Sequence, residues 1–215
     1  MSGADGFRIL TVCSGNVCRS PFVELLLGQR LAARPDFTVA SAGTIARPGQ
    51  RMTAEMLTVA ARYGVPAEAA AAHVAARLDE ASVARADLVL GLTREHRAAA
   101  LRLFPGAVKR VFTLNEFARL AGSVAAGRET LTATELVAEA ASRRALEQPS
   151  APEADDIDDP IGLPQEVYDR VGAEIVAAVD AIAPVLVAVQ AGAAREGSDP
   201  PNPGEPRLSF SFRRL

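Results

Sequence analysis

An α/β fold with a parallel sheet covered by helices on both faces is predicted by three features of the chain. Short apolar runs rich in β-branched residues recur at 7–12, 37–40, 87–92 and 108–113, each the length of a buried strand. Segments with apolar residues at helical spacing follow them, at 21–34, 53–64, 93–103 and from 114 onward, and strands alternating with helices close as a parallel sheet. The chain has 215 residues, 49% of them hydrophobic, enough for one domain to bury a core without disulfide staples.

The first strand, Phe7-Arg8-Ile9-Leu10-Thr11-Val12, runs into Cys13-Ser14-Gly15-Asn16-Val17-Cys18-Arg19-Ser20. A helix follows from Pro21 to Arg34, with Pro at a first-turn position and Phe22, Leu25, Leu26 and Leu31 at helical spacing. A strand turning through a Gly-containing loop into a helix aims several backbone N–H groups at one point, where the helix dipole adds partial positive charge. Arg19 brings a planar fork of donors that suits phosphate. Cys13 lies at the floor of this nest, and surroundings of that kind favour a thiolate over a thiol. Ser14 through Ser20 are therefore read as an anion cradle above a nucleophilic sulfur.

The second strand, Phe37–Ala40, ends in Ser41-Ala42-Gly43-Thr44, and a loop at 45–51 contains Pro48 and Gly49. Thr53 is the cap of a helix with Met56, Leu57 and Ala60 on one side, stopped by Gly64. An alanine-rich stretch, 69–76, carries His73. The third strand is Asp87–Leu92; Thr93 caps a helix through Leu103, and His96 in its first turn is expected to be solvated. Pro105-Gly106 ends that helix, Val108–Thr113 makes the fourth strand, and a helix begins at Leu114.

Residues 121–154 read as an insertion lying over or beside the cradle, with a helix at 135–147 and a linker-like run at 148–152. Asp155-Asp156-Ile157-Asp158-Asp159-Pro160 is a concentrated acidic run, in which mutual repulsion would favour keeping one carboxyl protonated. Val167, Val171, Ile175, Val179, Ile182 and Leu186 then mark an amphipathic closing helix. The domain is read as 1–190. From 191 to 215 Gly, Pro and charge give way to an alternating polar–apolar end, which fits a disordered tail, an added strand or a partner-docking arm.

Cys13-x5-Arg19-Ser20, with Gly15, Asn16, Cys18 and Pro21 in place, resembles the phosphate loop of the low-molecular-weight protein tyrosine phosphatases. Ser41-Ala42-Gly43-Thr44 and Asp159-Pro160 also match that family. The resemblance implies a four-stranded parallel sheet of order 2-1-3-4, with the phosphate loop between the first strand and the first helix. It implies a phosphatase that hydrolyses phosphate monoesters, of protein phosphotyrosine or a related aryl phosphate, through a cysteinyl-phosphate. Cys13 is then the nucleophile, Arg19 the phosphoryl ligand and Asp159 the general acid, with Asp158 its rival. Asn16, Ser20, Ser41 and His73 form a supporting polar network. Cys18 is either a redox partner that protects Cys13 by a reversible disulfide or a small buried residue. No metal or other cofactor is required.

Three departures bear on substrate. Ile161 stands where family members commonly carry an aromatic residue, the 45–51 loop lacks one too, and Val17 occupies a position where phosphoarginine-directed relatives have Thr. No cysteine follows Cys18, which disfavours the relay of the related arsenate reductases. The alternative from another class is a phosphate- or phosphoprotein-binding module with little catalytic power.

A net charge of -3 with both signs scattered offers no polybasic footprint for nucleic acid or anionic lipid. Two cysteines are too few for a secreted disulfide framework, and the start of the chain lacks the pattern of a signal peptide. The most apolar stretch, 171–190, is interrupted by Glu174, Asp180 and Pro184, which argues against a membrane span. A cytoplasmic enzyme is the expectation, and its oligomeric state is not readable.

Overall fold

The four apolar runs become four parallel strands in the computed structural model, which describes residues 6–126 and 131–190. They are β1 (Phe7–Cys13), β2 (Phe37–Gly43), β3 (Leu88–Gly91) and β4 (Val111–Thr113), in the order β2-β1-β3-β4. Cys13 stands opposite Gly43, and Val12 opposite Gly91. A sheet covered on both faces needs apolar side chains in both directions, which is why these strands read as continuous runs.

The strand alternation divides the core in two. Ile9, Val39, Leu88, Leu90 and Phe112 face the larger cluster, shared with α1 (Arg19–Arg30), α2 (Ala54–Arg62), α6 (Leu114–Ala125) and α8 (Gln165–Ala188). Leu10, Val12, Ala42, Val89 and Val111 face a smaller cluster with Val83 of α4 (Glu80–Arg85) and Ala100 of α5 (Arg94–Leu103). A short α3 (Ala67–Ala72) precedes His73. The helix starts follow the capping residues: Thr53, Thr93 and Thr113 each accept a backbone N–H two or three residues into the helix. Gly64 closes α2 at φ +76°.

Several boundaries differ from the sequence reading. β2 runs through Ser41-Ala42-Gly43, because these residues continue the ladder with Thr11, Val12 and Cys13. α1 begins at Arg19 rather than Pro21, so the cradle residue Arg19 is already helical. β4 starts at Val111, not Val108. Residues Pro105–Ala107 form a 3-10 turn, and the buried Arg110 guanidinium donates to the carbonyls of Val83, Ala84 and Ala86 instead of leaving an extended chain.

The insertion carries a helix, α7 (Ala133–Arg143), four residues shorter at its C-terminus than expected. It packs against α6, with Leu136, Val137 and Ala140 in the larger core cluster, and Arg144 lies over the Phe112 ring and bonds Glu116. These contacts set α7 on α6 rather than over the cradle, where it was expected. α8 is long and apolar enough to cross a membrane, but Val171, Ile175, Val179, Ile182 and Leu186 are buried against the domain, as in a core helix. Residues 1–5 and the 191–215 tail lie outside the described residues.

Gly172 marks the closest approach of α8 to α2: a Cβ there would sit 2.3 Å from Val59 Cγ1. Gly172→Ala should lower unfolding stability by about 1–3 kcal/mol through overpacking. A urea melt would show this, and Val59→Ala in the same chain should recover most of the loss.

Candidate active site

The turn from β1 to α1 hinges on Asn16, the only non-glycine residue among those described with positive φ, at 54°. Asn tolerates this left-handed conformation better than most residues. β2 must pass close beneath the turn, since a Cβ at Gly43 would lie 2.5 Å from Ser14 O and 2.8 Å from Asn16 N. Here glycine is required by space. The backbone N–H groups of Ser14, Gly15, Val17, Cys18 and Arg19 have no acceptor among the described residues, so the turn presents a row of free donors at a helix N-terminus.

Cys13 Sγ is buried at the base of this row, 3.0 Å from Ser20 Oγ and 3.3 Å from Asn16 N. The network beneath it has a direction. Asn16 Nδ2 donates to Ser20 Oγ at 2.9 Å and to Ser41 Oγ at 2.7 Å. Ser41 donates to Glu24 Oε2 at 2.5 Å. Asn16 Oδ1 accepts from Ala76 N at 2.8 Å, and Asn16 O lies 2.8 Å from His73 Nε2. Ser20 Oγ accepts from Asn16 and has two partners for its proton, Cys13 Sγ at 3.0 Å and Ala42 O at 3.4 Å. All four residues expected to support the cradle, Asn16, Ser20, Ser41 and His73, therefore meet in one network; Glu24 joins them, 3.9 Å from His73 Nδ1.

Arg19 is 2% exposed. Its Nη1 donates to Ile157 O at 2.8 Å, and Nη2 pairs with Asp159 Oδ2 at 2.6 Å. Nε is buried with no partner. Burying a donor unpaired is costly, and Nε is left open to a further acceptor.

The acidic run behaves differently from the sequence reading. Its four carboxylates do not crowd one another: Asp155 pairs with Arg119 at 3.1 Å, Asp156 with Arg94, Asp158 with Arg170 at 3.1 Å, and Asp159 with Arg19. Mutual repulsion is replaced by four separate ion pairs. Asp156 also accepts Arg94 N at 2.6 Å at the start of α5, and Ile157 N bonds Leu92 O at 2.8 Å. The run is thereby tied to the C-terminal end of β3, and of Asp158 and Asp159 only the latter reaches the cradle.

His96, expected in solvent, is 6% exposed. Its Nε2 lies 2.9 Å from Ser14 Oγ and its Nδ1 2.9 Å from Thr93 Oγ1. Burial, and after it the charge of Arg19, lowers its pKa from 6.5 to about 4, so the ring is neutral at pH 7. The missed signal is that Thr93 caps the helix and His96 stands three residues on, a spacing that turns the ring back toward the cap. Burial, followed by the charge on Cys13, pushes the Cys18 thiol above the usual cysteine range, and both cysteines are free. Among the described residues no group of three or more His, Cys, Asp or Glu side chains is arranged to hold a metal ion.

Comparison with known proteins places this geometry. The model of the low molecular weight phosphotyrosine protein phosphatase family matches residues 8–127. The chain is 34% identical over 111 residues to a protein-arginine-phosphatase of Geobacillus stearothermophilus, covering 52% of this chain and 71% of that protein. It is 35% identical over 112 residues to the low molecular weight protein-tyrosine-phosphatase PtpB of Staphylococcus epidermidis, covering 51% and 73%. Among solved structures, the YwlE arginine phosphatase from Geobacillus stearothermophilus superposes with a TM-score of 0.61 at 29% identity, over 84% of this chain and 93% of that one. A low molecular weight protein tyrosine phosphatase from T. tengcongensis gives 0.60 at 27%, over 82% and 97%.

The neutral His96 has a consequence for stability. The unfolded chain protonates this residue below pH 6.5 and the folded one only near 4, so its contribution is complete above pH 6.5 and is lost as pH falls toward 4. The loss amounts to about 3 kcal/mol. Denaturant melts between pH 7 and pH 4 should show this decline, and His96→Gln should remove that part of it.

Proposed function

Since the chain belongs to the low molecular weight phosphotyrosine protein phosphatase family, a family of cysteine-dependent phosphatases, we propose that it cleaves phosphate monoesters through a cysteinyl-phosphate formed on Cys13. The observation that carries this reading is the row of five unpaired N–H groups beside the unpartnered Arg19 Nε, above a sulfur that accepts from Asn16 N and lies 3.0 Å from Ser20 Oγ.

The phosphoryl group enters the cradle of Ser14 to Ser20 and takes Arg19 Nε and Nη2, displacing Asp159 from Nη2. The thiolate of Cys13, stabilised by the Ser20 hydroxyl, attacks phosphorus in line; the S–P bond forms as the ester P–O bond breaks. Asp159, released from Arg19 and then protonated from solvent, gives that proton to the leaving oxygen. Water then attacks the cysteinyl-phosphate, Asp159 takes the water proton, and the S–P bond breaks to regenerate thiolate and phosphate. The fixed backbone donors hold the charge of both transition states without reorganising. Asn16, Ser41 and His73 hold the cradle's backbone. Of the two readings of Cys18, burial that keeps it a thiol favours the small buried residue over the redox partner, since the thiolate is the form that attacks an oxidised sulfur.

The substrate we favour is a protein phosphotyrosine or a related aryl phosphate. Val17 gives the cradle an apolar side chain, and the two residues flanking the mouth are aliphatic. Ile45, whose N–H bonds Ser14 O, is 70% exposed, and Ile161, next to the acid, is 48% exposed. Such walls accept an apolar leaving group but give it no ring to stack on.

Turnover of p-nitrophenyl phosphate tests the reading directly. Cys13→Ser should abolish it, and a chain that only binds phosphate would release no product above that control. Asp159→Asn should lower kcat on the order of 10²–10⁴-fold, whereas Asp158→Asn should leave it nearly unchanged. Ile161→Phe should raise kcat/KM for aryl phosphates by about 2–10-fold, the gain of one aromatic contact.

A further inference from the structure

The phosphate cradle is held from below by Asn16, but its first residue, Ser14, is held from a different side. Ser14 O accepts the Ile45 N–H at 3.0 Å, which ties its carbonyl to the segment after β2. Its hydroxyl lies 2.9 Å from His96 Nε2, a residue 82 positions away on α5. Its N–H is left free, the first of the unpaired donors after the nucleophile. The open N–H belongs to the Cys13–Ser14 peptide, whose carbonyl accepts Thr44 N at 2.9 Å, so Ser14 is held on both flanking peptides and through its side chain.

We infer that His96 is a positioning residue for phosphoryl transfer, which through its hydrogen bond to Ser14 holds the first N–H of the cradle against the incoming phosphoryl group. This inference rests on the catalytic reading given above.

The ring is well placed for such a task. Its other nitrogen lies 2.9 Å from Thr93 Oγ1, the cap of α5, so the imidazole is held at both ends. β3 makes room for it with glycine: a Cβ at Gly91 would stand 3.2 Å from His96 Cβ and 2.8 Å from Arg97 N. The charged groups around it are Arg19, Asp159 and Asp156, the first two already part of the site. A neutral imidazole has one donor and one acceptor nitrogen, and both hydroxyls can adapt, so either tautomer keeps both bonds. The ring thus bridges the C-terminal ends of β1 and β3, the two central strands, where the fold puts its ligand. Fixed donors stabilise a transition state because they need no reorganisation, and a loosened Ser14 would forfeit part of that.

The test is a double-mutant cycle on Ser14→Ala and His96→Ala, read as kcat/KM for p-nitrophenyl phosphate and as inhibition by vanadate and by inorganic phosphate. Vanadate bound to the thiolate takes the five-coordinate geometry of the transition state; inorganic phosphate stays tetrahedral. Each single variant should lose about 10-fold in kcat/KM and in vanadate affinity, with phosphate inhibition changed by no more than about 2-fold. The double variant should be no worse than either single one, and His96→Gln, which keeps a donor and an acceptor, should recover most of the loss. Where His96→Ala does not fold, the cycle is run with His96→Leu, which retains the side-chain bulk, and Ser14→Ala alone still removes the same bond from the cradle side. Independent, multiplying losses, or an unaltered kcat/KM in Ser14→Ala, would overturn the inference. A wild-type chain without turnover overturns the catalytic reading and this role with it, while an active wild type with an unaffected Ser14→Ala overturns this role alone.

Discussion

The site depends on one backbone constraint: the turn between Ser14 and Val17 must pass through a left-handed residue and leave every N–H but that of Asn16 unpaired. Asn16 meets the first demand at φ 54°, and its side chain uses both amide hydrogens and its oxygen to hold the turn in that shape. A turn with its donors unused is unfavourable in a folded protein. It persists because everything around it is over-determined: Gly43 lets β2 press against it, His73 reaches its carbonyl, and Ser41 links it to Glu24.

The same logic extends to charge. Arg19 is buried, and a buried cation is stable only when its donors are met. Ile157 O and Asp159 meet two of its nitrogens, and the third stays open. In the free protein the carboxylate therefore occupies part of the place a phosphoryl group would take. In the proposed reaction the phosphoryl group and this carboxylate compete for one nitrogen, which would join the arrival of one to the release of the other.

How much of this was legible from the residues depended on sequence distance. The cradle is contiguous, and a strand, a glycine-containing loop and a helix start are local patterns, so Cys13 through Ser20 could be found from spacing and chemistry alone. Ser41 and His73 carry no local signal for a shared network; only the resemblance pointed to them. His96 was misread because a histidine in the first turn of a polar helix is ordinarily wet, and its partner Ser14 lies on another element. The acidic run was located correctly, but its electrostatics were not, because Arg19, Arg94, Arg119 and Arg170 are scattered along the chain and only folding brings each to its carboxylate. The fourth strand began late for a related reason: Arg110 is anchored by carbonyls of a distant helix end, which nothing near it in sequence announces.

Those four arginines have an architectural consequence. They stand on α1, α5, α6 and α8, so the segment bearing Asp159 is moored to helices from both sides of the sheet, and its upstream and downstream ends are fastened separately. The preceding stretch takes part in this mooring through Glu147, whose carbonyl accepts from Arg119, the partner of Asp155. With four separate fastenings, the loss of any one arginine leaves the segment held by the other three.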